Sequence, residues 1–177
     1  MQLHKGVIGG PSLREPEGTI VKRTSFEKAE CPVARSLDAI GDWWSLLIIR
    51  DALLGISRFS EFQKSLGLAR NILTVRLRAL VDHGILKTAP ASDGSAYQEY
   101  LLTPKGRGVF PILVALRQWS EEFSFSPGGC ATLLVDREKG QPVRKLELRA
   151  RDGRMLGAGD TEIRPSPGAK RRQRRSA

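Results

Sequence analysis

Asn71, Thr74, Val75 and Arg78 fall within one stretch, GLARNILTVRLRALVDHGIL, which glycine punctuates at Gly67 and again at Gly84. At about 100° per residue, with Leu73 set at zero, Leu77 and Leu80 lie within about 40° of it. The four named residues spread from about 100° to 200° at the same spacing. One side is therefore apolar and the opposite side mixed polar, with no acid before Asp82. Asn and Arg can each make paired hydrogen bonds to base edges, Thr can bond a base or a phosphate, and Val can meet a thymine methyl. Arg70 stands in the first turn, where backbone N–H groups and the helix dipole also favour phosphate. A polar helix face serves equally well as a solvated surface, so its meaning depends on the surrounding elements.

Those elements are legible as a succession of short periodic runs. CPVARSLDAI gives one helix, and Gly41 with Asp42 separates it from a strongly apolar second helix, Trp43 to Leu54. In the latter, Trp44, Leu47 and Ile48 make one stripe and Leu46, Ile49 and Leu53 another, which predicts burial on two sides. RFSEFQKSLG offers Ser60 as N-cap, Phe62 and Leu66 on one face and Gly67 as the stop, so a short third helix precedes the opening stretch. Two short helices joined by a tight glycine turn form a helix-turn-helix pattern. ILKT, the turn PASDGS, and AYQEYLLT then predict a β-hairpin, with Tyr100 and Leu102 alternating against Gln98. Thr103 followed by Pro104 reads as N-cap and first helical residue of a long helix, which Pro111 kinks or restarts.

The fold class this order predicts is mainly α with a β-hairpin wing: a winged helix-turn-helix domain plus a small C-terminal β appendage. The expected organisation is a flexible leader at 1–24, a winged helix-turn-helix domain at 25–125, the β appendage at 126–164 and a basic disordered tail at 165–177. KLELRA and RDG supply the strand and turn signals of the appendage, which is too short to own a large core. The tail KRRQRR either adds sequence-independent affinity for a polyanion or is simply solvated.

The 177 residues carry a net charge of +10, a balance that favours polyanionic partners. The excess is uneven, however: +2 over residues 31–125 and +7 over 126–177. Bulk charge cannot assign DNA binding to the middle of the chain, and the placement of individual residues must. Cys31 and Cys130, far apart, give neither a disulfide framework nor a metal motif. Two isolated histidines, His4 and His83, complete no metal set or catalytic triad, so no metal, no cofactor and no enzyme activity is expected. The N-terminus lacks a signal-peptide pattern and no apolar run nears the ~20 residues of a membrane span, which points to a cytoplasmic protein.

CPVARSLDAIGDWWSLLIIRDALLGISRFSEFQKSLGLARNILTVRLRALVDHGIL, followed by YQEYLLTPKGRGVFPILVALRQW, resembles the HxlR-type transcriptional regulators of bacteria over roughly residues 26–123. The resemblance implies a homodimer that binds double-stranded operator DNA with two winged domains and joins its subunits through terminal helices. It also implies that Cys31 can sense oxidants or electrophiles, as a cysteine at the matching position does in some members. A helix N-terminus favours a reactive thiolate, while a small buried apolar residue is the competing reading. The effector stays unknown. The hairpin loop ASDGSAY departs from the proline-rich segment usual in that family.

Arg58 and Lys64 flank the supporting helix, and Lys87, Ser92 and Ser95 flank or occupy the wing, making all five candidates for backbone contacts. Ordinary turn chemistry around Asp93-Gly94 explains the wing serines equally well. Arg76 is divided between an internal salt bridge and a phosphate contact. Ile112, Leu116, Trp119 and Phe123 recur at helical spacing and are the expected dimerisation stripe. Trp43, Trp44 and Trp119 fit core or dimer packing better than a ligand pocket. The alternative to a DNA-binding regulator is a winged-helix adaptor that binds protein through its two-sided apolar helices.

Overall fold

The computed structural model describes residues 25–126 and 128–166. The expected leader, and the tail from residue 167 onward, lie outside the described residues. Two compact units, divided between Gly41 and Asp42, are taken separately.

The first unit contains helix α1, Pro32–Ile40. Pro32 occupies its first turn, where a missing N–H costs nothing. Asp38 accepts hydrogen bonds from the Ser25 hydroxyl (3.2 Å) and the Phe26 N–H (3.0 Å), which ties the entering chain to the helix.

The second unit begins with α2, Trp43–Leu53. Its N-cap is Asp42, whose carboxylate accepts the Ser45 N–H at 3.1 Å. Ile48 and Ile49 are fully buried, while Trp44, Leu46, Leu47 and Leu53 are half-buried around them, so α2 is covered on two sides as its double stripe predicts. Asp51, also buried, accepts the Ser65 hydroxyl at 2.7 Å and the Arg50 guanidinium, linking α2 to the next helix.

Helix α3 spans Phe59–Leu66, two residues earlier than a Ser60 cap requires. The reason is Glu61, whose carboxylate accepts the backbone N–H groups of Ser57 (3.3 Å) and Arg58 (3.1 Å) and closes the first turn from within. Gly67 ends the helix at φ 64°, a left-handed conformation that side chains avoid. Three residues later α4 starts, Arg70–Asp82, completing the helix-turn-helix.

Strands β1, Leu86–Pro90, and β2, Gln98–Leu102, pair antiparallel with Leu86 opposite Leu102. The inward set of β2 differs from simple alternation: Leu102 and Glu99 are buried and Tyr100 is half-buried. Glu99 turns inward because Arg58 and the Ser92 hydroxyl meet it there. The Arg58 backbone forms an antiparallel bridge with Glu99, and the Tyr100 N–H donates to the Ser57 carbonyl at 2.8 Å. The hairpin is thereby fastened to the segment entering α3.

Thr103 caps the next helix as expected, accepting the Gly106 N–H at 3.1 Å and donating to the Gly84 carbonyl at 2.6 Å. The helix restarts rather than kinks. A short α5, Pro104–Arg107, is followed by α6, Phe110–Phe123, with Pro111 in the first turn of α6. A side chain at Gly106 would run into the Ile85 carbonyl and the Leu102 side chain, so glycine is what lets α5 lie on the hairpin. Phe62, Leu73, Leu77, Leu80, Ile85 and Leu86 complete the core with the α2 isoleucines.

Beyond α6, among the described residues, the β character is confined to two isolated bridges, Val135–Pro142 and Arg149–Met155, followed by a single 3-10 turn at Ala158–Asp160. This segment is tied to α6 by side chains: Gln118 donates to the Arg144 carbonyl (3.0 Å) and accepts the Leu146 N–H (2.8 Å), and Lys145 pairs with Glu122. Arg117 adds a bond to the Thr132 carbonyl.

Candidate nucleic-acid interface

Helix α4 has two sides of opposite character. Leu73, Leu77 and Leu80 are fully buried, whereas Asn71, Thr74, Val75 and Arg78 are exposed, Val75 by 60%. The leucine row locks the rotation of the helix, so burial of one side dictates presentation of the other. Thr74 donates its hydroxyl to the Arg70 carbonyl at 2.8 Å, which fixes the side chain and leaves its oxygen lone pairs and methyl outward. No side chain caps the start of α4 at Ala69, so its first N–H groups keep their capacity for an external acceptor. Arg70 lies over the Phe59 ring, 5.7 Å from its centroid.

The basic residues divide into two groups. Among the described residues, Arg70, Arg78, Lys64 and Lys87 form no ion pair, and all four are exposed. Arg76 instead pairs with Asp42 at 2.9 Å, so it braces α4 against the start of α2. Arg58 pairs with Asp93 at 2.5 Å and approaches Glu99 at 3.7 Å. The hydrogen bond from Arg58, followed by one from Ser95, holds the Asp93 carboxyl well below the ordinary carboxylate range. Asp93 in turn raises the Arg58 guanidinium above its usual value. Glu61 is lowered by the backbone N–H groups of Arg58 and Ser57.

The Ser92 hydroxyl and the Ser95 backbone are engaged internally. Ser92 donates to Glu99 at 3.1 Å, and the Ser95 N–H donates to Asp93 at 3.0 Å in a local turn. Lys87 faces outward from β1. Between α3, the start of α4 and the hairpin lies a cleft of 560 Å³ lined by Arg58, Phe59, Arg70, Tyr97, Gln98 and Tyr100, among others. Tyr97, 70% exposed, escaped the sequence reading because nothing local shows that the wing turns it toward α3.

Ile112, Leu116, Trp119 and Phe123 are all exposed, by 44 to 65%, and follow one side of α6, with Trp119 packed on Phe123 at 5.7 Å. Cys31 is the exposed N-cap of α1, with no hydrogen bond from its side chain to the helix. Cys130 is half-buried, its sulfur 3.4 Å from the Thr132 carbonyl oxygen. Among the described residues no cluster of His, Cys, Asp or Glu could hold a metal ion. Among the described residues no helix is long and apolar enough to cross a membrane.

Comparison with known proteins agrees with this architecture. The HxlR-like helix-turn-helix family profile matches residues 39–126. The uncharacterised HTH-type transcriptional regulator Rv3095 of Mycobacterium tuberculosis strain H37Rv is 34% identical over 138 residues, covering 78% of this chain and 87% of that protein. The crystal structure of PA1607, a proposed transcription factor, is 57% identical, covers 81% of this chain and 100% of its own, and superposes with a TM-score of 0.77. A second proposed transcription factor, PA1374 of Pseudomonas aeruginosa, is 40% identical with a TM-score of 0.58, covering 80% and 96% of the two chains. An outward polar face on the second helix of a helix-turn-helix, a hairpin beside it and this match together mean that the chain belongs to the HxlR-like helix-turn-helix family of transcriptional regulators.

Proposed function

We propose that this regulator binds a specific duplex DNA site as a homodimer and controls transcription by occupying it. The observation that carries the reading is the outer side of α4, where Asn71, Thr74, Val75 and Arg78 stand exposed above a fully buried leucine row. A helix presented in this way fits the major groove, where Asn reads adenine and Arg reads guanine through paired hydrogen bonds. Arg70, Lys64 and Lys87 supply phosphate contacts that set register without reading sequence.

The dimer contact is assigned to Ile112, Leu116, Trp119 and Phe123, an apolar stripe too continuous for a solvated helix. Two copies then place two α4 helices on a symmetric site. Cys31, exposed at the α1 N-cap, is the candidate redox or electrophile sensor. The protein works in the cytoplasm, on the chromosome.

The test is to incubate the full chain with fragmented DNA of its source genome and sequence what is retained. The expected result is a two-fold symmetric motif recovered near promoters. Uniform recovery of all fragments at moderate salt, or recovery of none, contradicts the reading. Mild oxidant applied to wild type and Cys31→Ser tests the sensor; equal changes in affinity remove Cys31 from the mechanism.

A further inference from the structure

We propose that the cleft between α3, the start of α4 and the hairpin seats a backbone phosphate of duplex DNA, which takes the Arg58 guanidinium in exchange for Asp93. This inference rests on the reading of the chain as a DNA-binding regulator.

No carboxylate lines the cleft, and two arginines do, Arg58 and Arg70. Arg70 is held over Phe59, so its charge is already aimed. Arg58 is occupied instead: Asp93 on the wing turn reaches it at 2.5 Å. The side chains of this pair are 31% and 50% exposed, and an ion pair so open to water contributes little and is screened by salt. A DNA phosphate offers the same guanidinium an equally charged acceptor with bidentate geometry, and its binding also releases condensed counterions, which an internal carboxylate cannot do. Exchange is therefore favoured once the duplex is in place.

Glu99 plays a different part. Its side chain is 9% exposed, receives the Ser92 hydroxyl, and stays behind Arg58 with a 3.7 Å approach to Nε. It keeps the arginine stem directed into the cleft while the terminal nitrogens change partner. Asp93, like any ordinary carboxylate, is ionised at neutral pH, and the hydrogen bond from Arg58 lowers its carboxyl further. In the free protein Asp93 thus cancels one cation of the binding face, and the exchange restores that cation only when a phosphate is present to use it.

The experiment measures affinity of the full-length chain for a mixed-sequence duplex across a salt series, for wild type, Asp93→Asn, Arg58→Ala, Arg58→Lys and the Arg58→Ala/Asp93→Asn pair. Asparagine keeps an oxygen for the Ser95 N–H, so the turn is preserved. Expected are several-fold tighter binding by Asp93→Asn at the wild-type salt slope, and a slope shallower by about 0.9 for Arg58→Ala, restored by Arg58→Lys. The paired variant binds as Arg58→Ala does, because the asparagine has no arginine left to release. A gain from Asp93→Asn that survives in the Arg58→Ala background, weaker binding by Asp93→Asn, or an unchanged slope in Arg58→Ala overturns the exchange alone. Wild-type protein that binds no duplex even at low salt overturns the regulator reading as well.

Discussion

Helix α4 and the wing both carry polar residues suited to DNA, yet they present them in opposite ways. On α4 the side chains of Asn71 and Arg78 point outward with no ion pair, over a buried leucine row. In the wing, Ser92, Asp93 and Glu99 are bound to one another's neighbourhood or to Arg58. The contrast separates two roles: α4 offers unused hydrogen-bonding capacity, while the wing spends most of its polar groups on its own position. A reading surface must leave its donors and acceptors unmet, whereas a positioning element must satisfy them.

The largest effect is expected where the contrast originates. Leu77→Ala, on the buried side of α4, should destabilise the fold by about 2–5 kcal/mol in urea unfolding, since a fully buried leucine leaves a cavity. A loss below about 1 kcal/mol means that the row does not fix the helix rotation. Asn71→Ala should leave unfolding unchanged and weaken binding to the selected operator by about 1–3 kcal/mol. Equal weakening on all sequences reassigns Asn71 to the backbone. On the wing side, Lys87→Ala should lower affinity for every duplex and reduce the salt slope by about 0.9, without altering the motif. An altered motif moves the wing into the reading class.

The smallest effect concerns pH. The Asp93 carboxyl is lowered in the folded protein, so its pairing with Arg58 is fully present above the unfolded value of about 3.9. It is lost only as pH falls through the folded value, below that point. Carboxyl-detected NMR should therefore show Asp93 still ionised at about pH 3.9, where an ordinary aspartate is half protonated. A midpoint in the ordinary carboxylate range breaks the tether account.

Legibility followed the range of the interactions. The leucine side of α4, the Gly67 stop and the Thr103-Pro104 start depend on residues a turn or two apart, and local periodicity shows them. The Ser60 cap was displaced by Glu61, whose carboxylate competes for the same turn. Burial of Glu99 is invisible locally because its partner Arg58 enters from before α3. The same distance hides the cleft in which Tyr97 and Arg70 share a wall. After α6, KLELRA alternates as a strand would, yet Leu146 and Leu148 are exposed by 48% and 61% and only single bridges form. Two residues of pattern cannot supply a partner strand.

The most direct measurement compares Arg78→Ala with wild type on the selected operator and on a mixed-sequence duplex at one salt concentration. The account predicts that the variant keeps its mixed-sequence affinity and loses about 1–3 kcal/mol on the operator, so that discrimination falls. Undiminished discrimination by Arg78→Ala contradicts the assignment of α4's outer side as the surface that reads DNA.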